Sequence, residues 1–274
     1  MNFSKMHGLS NDFIIIENIT QNICLTSKEI QTISNRYTGI GFDQLLFVEK
    51  STQSGIDFNY RIFNSDGKEV EQCGNGARCF AHFLYLKGFT KNKRISVSTK
   101  KGILILSILK NNLIKVNMGK PDFKPYNIPI STEKFREKYS LLIKNKKVSF
   151  GAVSIGNPHC VISVKNINTT LVDILSPSIQ KNNFFPNSVN VGFMEIINSK
   201  KIKLRVYERG SKETNACGSG ACAAVAVGIK QNLLSNKVIV ELKGGKLEIF
   251  WKKEDNCIYM IGQATHVYDG VIYL

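Results

Sequence analysis

Cys73-Gly-Asn-Gly-Ala-Arg-Cys79 and Cys217-Gly-Ser-Gly-Ala-Cys-Ala223 are two versions of one phrase, 144 positions apart. In each, a glutamate stands four residues before the first cysteine (Glu69, Glu213). In each, Gly-x-Gly-Ala opens a run with helical spacing: Ala77 to Leu86, closed by Gly88, and Ala221 to Lys230. A cysteine just ahead of such a helix meets unsatisfied N–H groups and the positive dipole end, which favour thiolate over thiol. Two cysteines placed alike suggest two acid/base groups made the same way.

The repetition reaches further. Asn11 precedes Gln44 by 33 residues, and Asn157 precedes Asn190 by the same 33. Asn64 lies nine residues before Cys73, as Glu208 lies nine before Cys217. Each polar residue sits at or beside the end of an apolar, strand-like run. One offset of 144 to 146 residues therefore carries four polar positions onto four others in the same order. The pattern implies two homologous halves presenting equivalent edges to a shared cleft.

At 274 residues the chain has room for two domains with separate cores. A hydrophobic content of 43% and a mean hydropathy of −0.10 describe a soluble globular protein. The N-terminal run Phe13–Ile16 is too short and too polar in its flanks for a signal peptide. The longest apolar stretch, Ile103 to Leu109, falls far short of the roughly 20 residues that span a bilayer. A cytoplasmic protein without a membrane partner is expected.

The net charge of +16 invites a nucleic-acid reading. The lysines are scattered, however, at positions such as Lys91, Lys101, Lys146 and Lys203, with no aromatic binding motif among them. A solvated basic surface, without a nucleic-acid partner, is the simpler account. Seven irregularly spaced cysteines do not make a disulfide framework. The gaps within Cys73/Cys79 and Cys217/Cys222 are too wide for zinc pairs, so no metal is expected.

Phe13–Glu17 reads as the first strand, and Thr26 with Glu29 makes a capping box for a helix to about Tyr37. Strands follow through Glu49, over Asp57–Phe63, Ile95–Thr99, Gly102–Lys110 and Leu113–Met118, with a hairpin turn at Asn111-Asn112. Gly119-Lys-Pro-Asp-Phe-Lys-Pro125 interrupts the periodicity and marks a domain boundary. The second half repeats the scheme: strands at Val148–Ile155 and Cys160–Val164, a short helix near Leu171–Leu175, and strands at Val189–Ile197 and Ile202–Tyr207. Four terminal strands follow the second cysteine helix. The expected architecture is α+β: two pseudo-symmetric domains, each a mostly antiparallel sheet around a central helix.

Such a pair of cysteines suits inversion of a carbon centre by proton transfer. One group must remove a proton from one face while a like group supplies a proton to the other, because the reverse reaction exchanges their roles. N–H groups at Gly74–Asn75 and Gly218–Ser219 would neutralise the carboxylate beside the developing carbanion.

On these residues the chain resembles the diaminopimelate epimerase family. The matching stretches are Met6-His-Gly-Leu-Ser-Asn-Asp-Phe13, Phe63-Asn-Ser-Asp-Gly67, Gln72-Cys-Gly-Asn-Gly-Ala-Arg-Cys79, Gly156-Asn-Pro-His159, Glu208-Arg-Gly210 and Ala216-Cys-Gly-Ser-Gly-Ala-Cys222. The resemblance implies a cofactor-independent epimerase of lysine and peptidoglycan-precursor biosynthesis, interconverting LL- and meso-diaminopimelate. It implies Cys73 and Cys217 as the acid/base pair, with His159 and Glu208 tuning them. It implies a substrate site of Asn11, Gln44, Asn64, Gly74, Asn75, Asn157, Asn190, Glu208, Arg209, Gly218 and Ser219, in the cleft between the domains. A cytoplasmic homodimer with Tyr268 at its interface is also implied. So is a final strand that returns to the first domain, giving halves of 1–118 plus 263–274 and 119–262. The family usually has glycine at Ser10 and near Lys212, so a positive φ there would bring strain.

Three rivals are weaker. A proline or hydroxyproline racemase of the same superfamily also uses two cysteines, but Arg209 and the asparagine-rich lining suit a substrate with a second amino-acid end. Phenazine-type isomerases lack the cysteine pair. Gly218-Ser-Gly-Ala-Cys-Ala223 satisfies a dinucleotide fingerprint, but its preceding strand ends about ten residues too early for that fold.

Overall fold

A computed structural model describes residues 1–71 and 73–273. Gln72 of the first cysteine phrase and Leu274 of the expected final strand lie outside the described residues. The chain divides into two compact units, Met1–Asn117 with Ile261–Leu274, and Met118–Met260.

In the first unit, strand β1 (Asn2–Gly8) pairs antiparallel with β2 (Asn11–Glu17), and helix α1 (Ser27–Ser34) follows. Strand β3 (Gln44–Lys50) lies parallel to β2, and β4 (Phe58–Asn64) runs antiparallel to β3. The two-residue β5 (Glu69–Val70) leads to helix α2 (Gly74–Leu86). Then β6 (Arg94–Thr99) pairs parallel with β4, and β7 (Gly102–Ile108) and β8 (Leu113–Asn117) continue antiparallel. Asn111 and Asn112 turn the β7–β8 hairpin at φ of 57° and 56°, which asparagine tolerates best among non-glycine residues.

The second unit opens with β9 (Tyr139–Ile143), then repeats the order. Strands β10 (Lys146–Ser154) and β11 (Pro158–Val164) pair antiparallel, and helix α3 (Val172–Gln180) follows. Strand β12 (Asn190–Asn198) is parallel to β11, and β13 (Lys201–Glu208) is antiparallel to β12. The short β14 (Lys212–Thr214) leads to helix α4 (Gly218–Lys230). Strand β15 (Lys237–Leu242) is parallel to β13 and antiparallel to β16 (Gly245–Trp251). After β17 (Ile258–Gln263), strand β18 (Thr265–Val271) pairs with β1. Pairing for pairing, the second unit copies the first, including both parallel contacts. Antiparallel pairs predominate, so the expected fold class holds.

Both cysteine helices are apolar nearly all round, which places them inside their sheets. In α2, Ala77, Cys79, Phe80, Ala81, Phe83 and Leu84 are buried, and in α4 every residue from Gly220 to Gly228 is. The small residues of α4 admit close neighbours: a Cβ on Gly228 would meet Leu234 Cδ1 at 2.3 Å.

Three expectations need correction. Phe13–Glu17 is not the first strand, because β1 precedes it. The buried positions of β1 include Ser4 and Lys5, polar residues that hide the apolar period, and Lys5 Nζ is satisfied by Asp12 at 2.6 Å and by the Gly41 carbonyl. Helix α1 has the capping box but stops at Ser34, where Asn35 accepts from the N–H groups of Tyr37 and Thr38 and turns the chain. Helix α3 runs to Gln180, through Pro177, rather than ending near Leu175. Burial of Ser176 and Ile179 in the unit's core holds that last turn against the usual proline stop.

Candidate active site

Register brings the polar positions of each unit to one sheet edge. Phe13 pairs with Gln44, and Gln44 with Asn64, so the start of β2, the start of β3 and the end of β4 coincide. In the second unit His159 pairs with Asn190, and Val191 with Tyr207, which aligns Asn157, Asn190 and Glu208 in the same way. Each cysteine then caps the helix that follows the third strand. The Cys73 sulfur accepts from the Gly76 N–H at 3.5 Å and the Cys217 sulfur from the Gly220 N–H at 3.4 Å. Gly74 and Asn75, like Gly218 and Ser219, are the first residues of their helices, so their N–H groups point out of the helix end.

Around Cys73, the thiol lies 3.7 Å from Asn11 Oδ1, which also accepts from Asn75 Nδ2 at 3.3 Å. Asn11 Nδ2 donates to Asp43 at 2.9 Å, and Gln44 Nε2 donates to Asn64 Oδ1 at 2.8 Å. From behind, the buried Tyr60 hydroxyl donates to the Cys73 carbonyl at 3.2 Å. Glycine is required at position 76, since a Cβ there would meet that hydroxyl at 2.6 Å.

Around Cys217, the thiol donates to Glu208 Oε2 at 3.2 Å and lies 3.6 Å from Ser219 Oγ. Burial and the neighbouring Glu208 charge push this thiol well above its ordinary range. The helix end does not overcome them, so Cys217 rests as a thiol rather than the thiolate its position suggested. Burial likewise raises Glu208, whose Oε1 accepts from Thr214 Oγ1 at 2.6 Å. The buried His159 is pushed down to about 3, first by desolvation and then by Arg209, so it is neutral at pH 7. Its Nε2 is 2.9 Å from Asn157 Oδ1, and Asn157 Nδ2 donates to Ser219 Oγ at 3.4 Å. His159 is thus linked to Cys217 through Asn157 and Ser219. The Arg209 N–H donates to Asn190 Oδ1 at 2.9 Å, and its guanidinium reaches the Asn187 carbonyl at 3.1 Å.

Several supporting residues lacked a signal in the sequence: Thr214 on Glu208, Asp43 on Asn11, and Gln180, which donates to the carbonyls of Val189 and Glu208. One did have a signal. Glu69 and Glu213 are each gripped bidentately by an arginine eight residues earlier, Arg61 and Arg205. The arginines obey the 144-residue offset and tie β4 to β5 as they tie β13 to β14. Ser10 and Lys212 adopt φ of 66° and 61°, so the strain attached to both departures from glycine is present. Tyr268 lies on β18, 44% exposed, edge-to-face with Phe3. Among the described residues no group of three or more His, Cys, Asp and Glu is arranged to hold a metal ion. None of their helices is long and apolar enough to cross a membrane.

Residues 3–124 and 151–267 match the family model described as diaminopimelate epimerase. The chain belongs to that family. It is thereby an isomerase. Two diaminopimelate epimerases of Buchnera aphidicola subsp. Acyrthosiphon pisum, strains APS and 5A, are each 58% identical over all 274 residues, spanning 96% of the relative's own length. A hydroxyproline epimerase from Agrobacterium vitis superposes with a TM-score of 0.72, covering 98% of this chain and 91% of that one. A phenazine biosynthesis protein from Bacillus anthracis gives 0.67, covering 100% and 99%. At 11% and 19% identity these two show the fold alone.

Proposed function

We propose that the protein interconverts LL- and meso-diaminopimelate by moving a proton between the two faces of one α-carbon, with Cys73 and Cys217 as the two acid/base groups. The observation that carries this reading is the twice-built cysteine cap, each sulfur on the N-terminus of a buried helix and each beside a strand-end cluster of amides. The relatives at 58% identity support the substrate.

In one direction the Cys73 thiolate takes the α-proton: the C–H bond breaks, an S–H bond forms, and the electron pair is left on a carbanion conjugated to the carboxylate. The Cys217 thiol breaks its S–H bond and protonates the opposite face. Cys217 then holds the charge, with the Gly220 N–H and Ser219 hydroxyl on its sulfur. That state starts the reverse direction, with the Cys217 thiolate as base and the Cys73 thiol as acid. Where Cys217 is met as a thiol, the Glu208 carboxylate, already the acceptor of its proton, takes that proton to make the base, and Cys73 takes one from solvent. Helix-end N–H groups at Gly74–Asn75 and Gly218–Ser219 bind the α-carboxylate as its charge grows. Gln44, Asn64, Asn190 and Arg209 hold the other amino-acid end. No cofactor enters any of these steps.

The enzyme acts in the cytoplasm, in lysine and peptidoglycan-precursor synthesis, as a homodimer joined through β18. Val267, Tyr268 and Val271 are 53%, 44% and 56% exposed on that strand, an apolar edge suited to a second copy. Sedimentation of Tyr268→Ala tests this, a monomer being the expected result.

Proton NMR of LL-diaminopimelate in heavy water, with reduced enzyme and no pyridoxal phosphate, tests the reaction. Wild type should lose the α-proton signal and form the meso isomer, and Cys73→Ala and Cys217→Ala should form none. An inactive wild type would refute the substrate and turn attention to proline-like amino acids. Epimerisation by either cysteine variant would refute the two-thiol mechanism.

A further inference from the structure

Arg78 has no role in the steps above, yet it is fully buried in the first turns of α2, next to the reacting end of the unit. An arginine is seldom buried without partners for its charge. Here Nε donates to the Gln263 carbonyl at 3.1 Å and a terminal nitrogen donates to Asn75 Oδ1 at 3.0 Å. Gly8 leaves room for the group: a Cβ there would lie 3.0 Å from the guanidinium.

Donor chemistry makes the consequence directional. Arginine has no acceptor, so Asn75 must turn its oxygen toward Arg78 and its Nδ2 toward Asn11. Asn11 must meet that Nδ2 with its own oxygen, and its Nδ2 then faces the Asp43 carboxylate. Cation at one end and anion at the other leave one consistent set of amide orientations. Asn11 thus presents an oxygen toward the Cys73 sulfur, 3.7 Å away.

The second unit is wired the other way. Position 222, equivalent to Arg78, is cysteine, and Ser219 stands for Asn75. Asn157 turns its NH2 toward the cysteine loop, on Ser219, and its oxygen toward His159. The two matched asparagines therefore offer opposite groups.

We propose that Arg78 is a positioning residue that fixes Asn11 as a hydrogen-bond acceptor beside Cys73, opposite in sense to Asn157 beside Cys217. This deepens the two-thiol reading and rests on it. The Gly76 N–H already meets the Cys73 sulfur, and a second N–H aimed there from Asn11 would compete with the α-proton for the remaining lone pairs.

The test is Asn75→Asp. It strengthens the contact with Arg78, so the melting temperature is held or raised, but it faces Asn11 with an oxygen and reverses the chain. Turnover of LL-diaminopimelate should fall about tenfold or more with a smaller change in KM. Arg78→Lys, also a pure donor, should stay within about threefold of wild type, whereas Arg78→Gln should match Asn75→Asp. In an Asn11→Ala background, Asn75→Asp should add less than about twofold. Wild-type-like turnover by Asn75→Asp, or losses that multiply with Asn11→Ala, would overturn the proposal. If wild type itself does not turn over diaminopimelate, that reading of function fails separately. The same variants are then scored by iodoacetamide alkylation, which should change at Cys73 and not at Cys217, and only while Asn11 is present. No such change would overturn the proposal in that case too.

Discussion

Replacing Glu208 with glutamine keeps the shape of the side chain and deletes its charge. Thr214 Oγ1 can still donate to the remaining oxygen, which leaves the new NH2 facing the Cys217 sulfur in place of Oε2. Two forces that hold Cys217 as a thiol then vanish together: repulsion of the thiolate by the carboxylate, and the carboxylate's acceptance of the thiol proton. At 3.2 Å and an effective dielectric of about 20, the repulsion alone is on the order of 5 kcal/mol. That figure is a ceiling, because burial raises Glu208 as well and leaves it charged only part of the time near its own titration. A fall of at least about one pH unit in the Cys217 titration, roughly 1.4 kcal/mol, is expected. The assay is iodoacetamide alkylation across pH, read at the two cysteines by peptide mass spectrometry. The Cys217 midpoint should move down while the Cys73 midpoint stays, and turnover should fall by about 10²-fold or more as the proton acceptor is lost. A Cys217 midpoint that stays or rises in a folded Glu208→Gln variant would refute the assignment of Glu208 as the group holding that proton.

Arg205→Ala should lower stability by about 1–2 kcal/mol in chemical denaturation, since the Arg205 and Glu213 side chains are only 18% and 11% exposed and the bidentate pair is lost, while Lys243 still meets Glu213 Oε1 at 2.8 Å. Because Arg205 lowers the Glu213 pKa, the pair's contribution is present above the unfolded carboxylate range and lost as pH falls through the folded value. Wild type should accordingly lose its advantage over Arg205→Ala on acidification. Lys212→Gly should raise the melting temperature by relieving a φ of 61°, a gain of about 0.5–1 kcal/mol. Gly76→Ala should cost about 1–3 kcal/mol, because its Cβ displaces the Tyr60 hydroxyl from the Cys73 carbonyl. Its turnover should fall too, as measured by the heavy-water exchange.

Much of this was legible because the chain states it twice. The offset of 144 to 146 residues places the two caps, the strand-end amides and Glu208 without reference to any contact, and the register of the sheets then assembles them. Arg61 and Arg205 obey the same offset and were open to the same reasoning. Strand β1 was not legible, since the polar Ser4 and Lys5 are buried in it and partners at Asp12, Gly41 and Asp269, which only the fold brings near, satisfy them. The state of Cys217 was not legible either. Helix position alone favours thiolate, and the opposing effects, burial and Glu208 at hydrogen-bond distance, exist only once the chain is folded. Amide polarity lies further still from the sequence: Asn11 and Asn157 are the same residue at matched positions, and their neighbours decide which atom each presents.

That difference bears on why two copies of one unit diverge. Transfer of a proton across a carbon asks for like groups on the two faces, and the caps of Cys73 and Cys217 are alike down to the glycine three residues on. The carbon itself carries three unlike substituents: a carboxylate, an ammonium and a side chain. A pair of half-sites with true twofold symmetry would offer each face the same donors and acceptors, and so would bind the substrate equally well in two orientations, one of them unproductive. Keeping the backbone and the sulfurs equivalent while reversing the amide beside them avoids this. Arg78 against Cys222 and Asn75 against Ser219 are the substitutions that reverse it, with Asp43 on Asn11 and His159 on Asn157 as the outer partners. On the two-thiol mechanism proposed above, symmetry in the fold serves the proton, and asymmetry in the polar side chains serves the rest of the substrate.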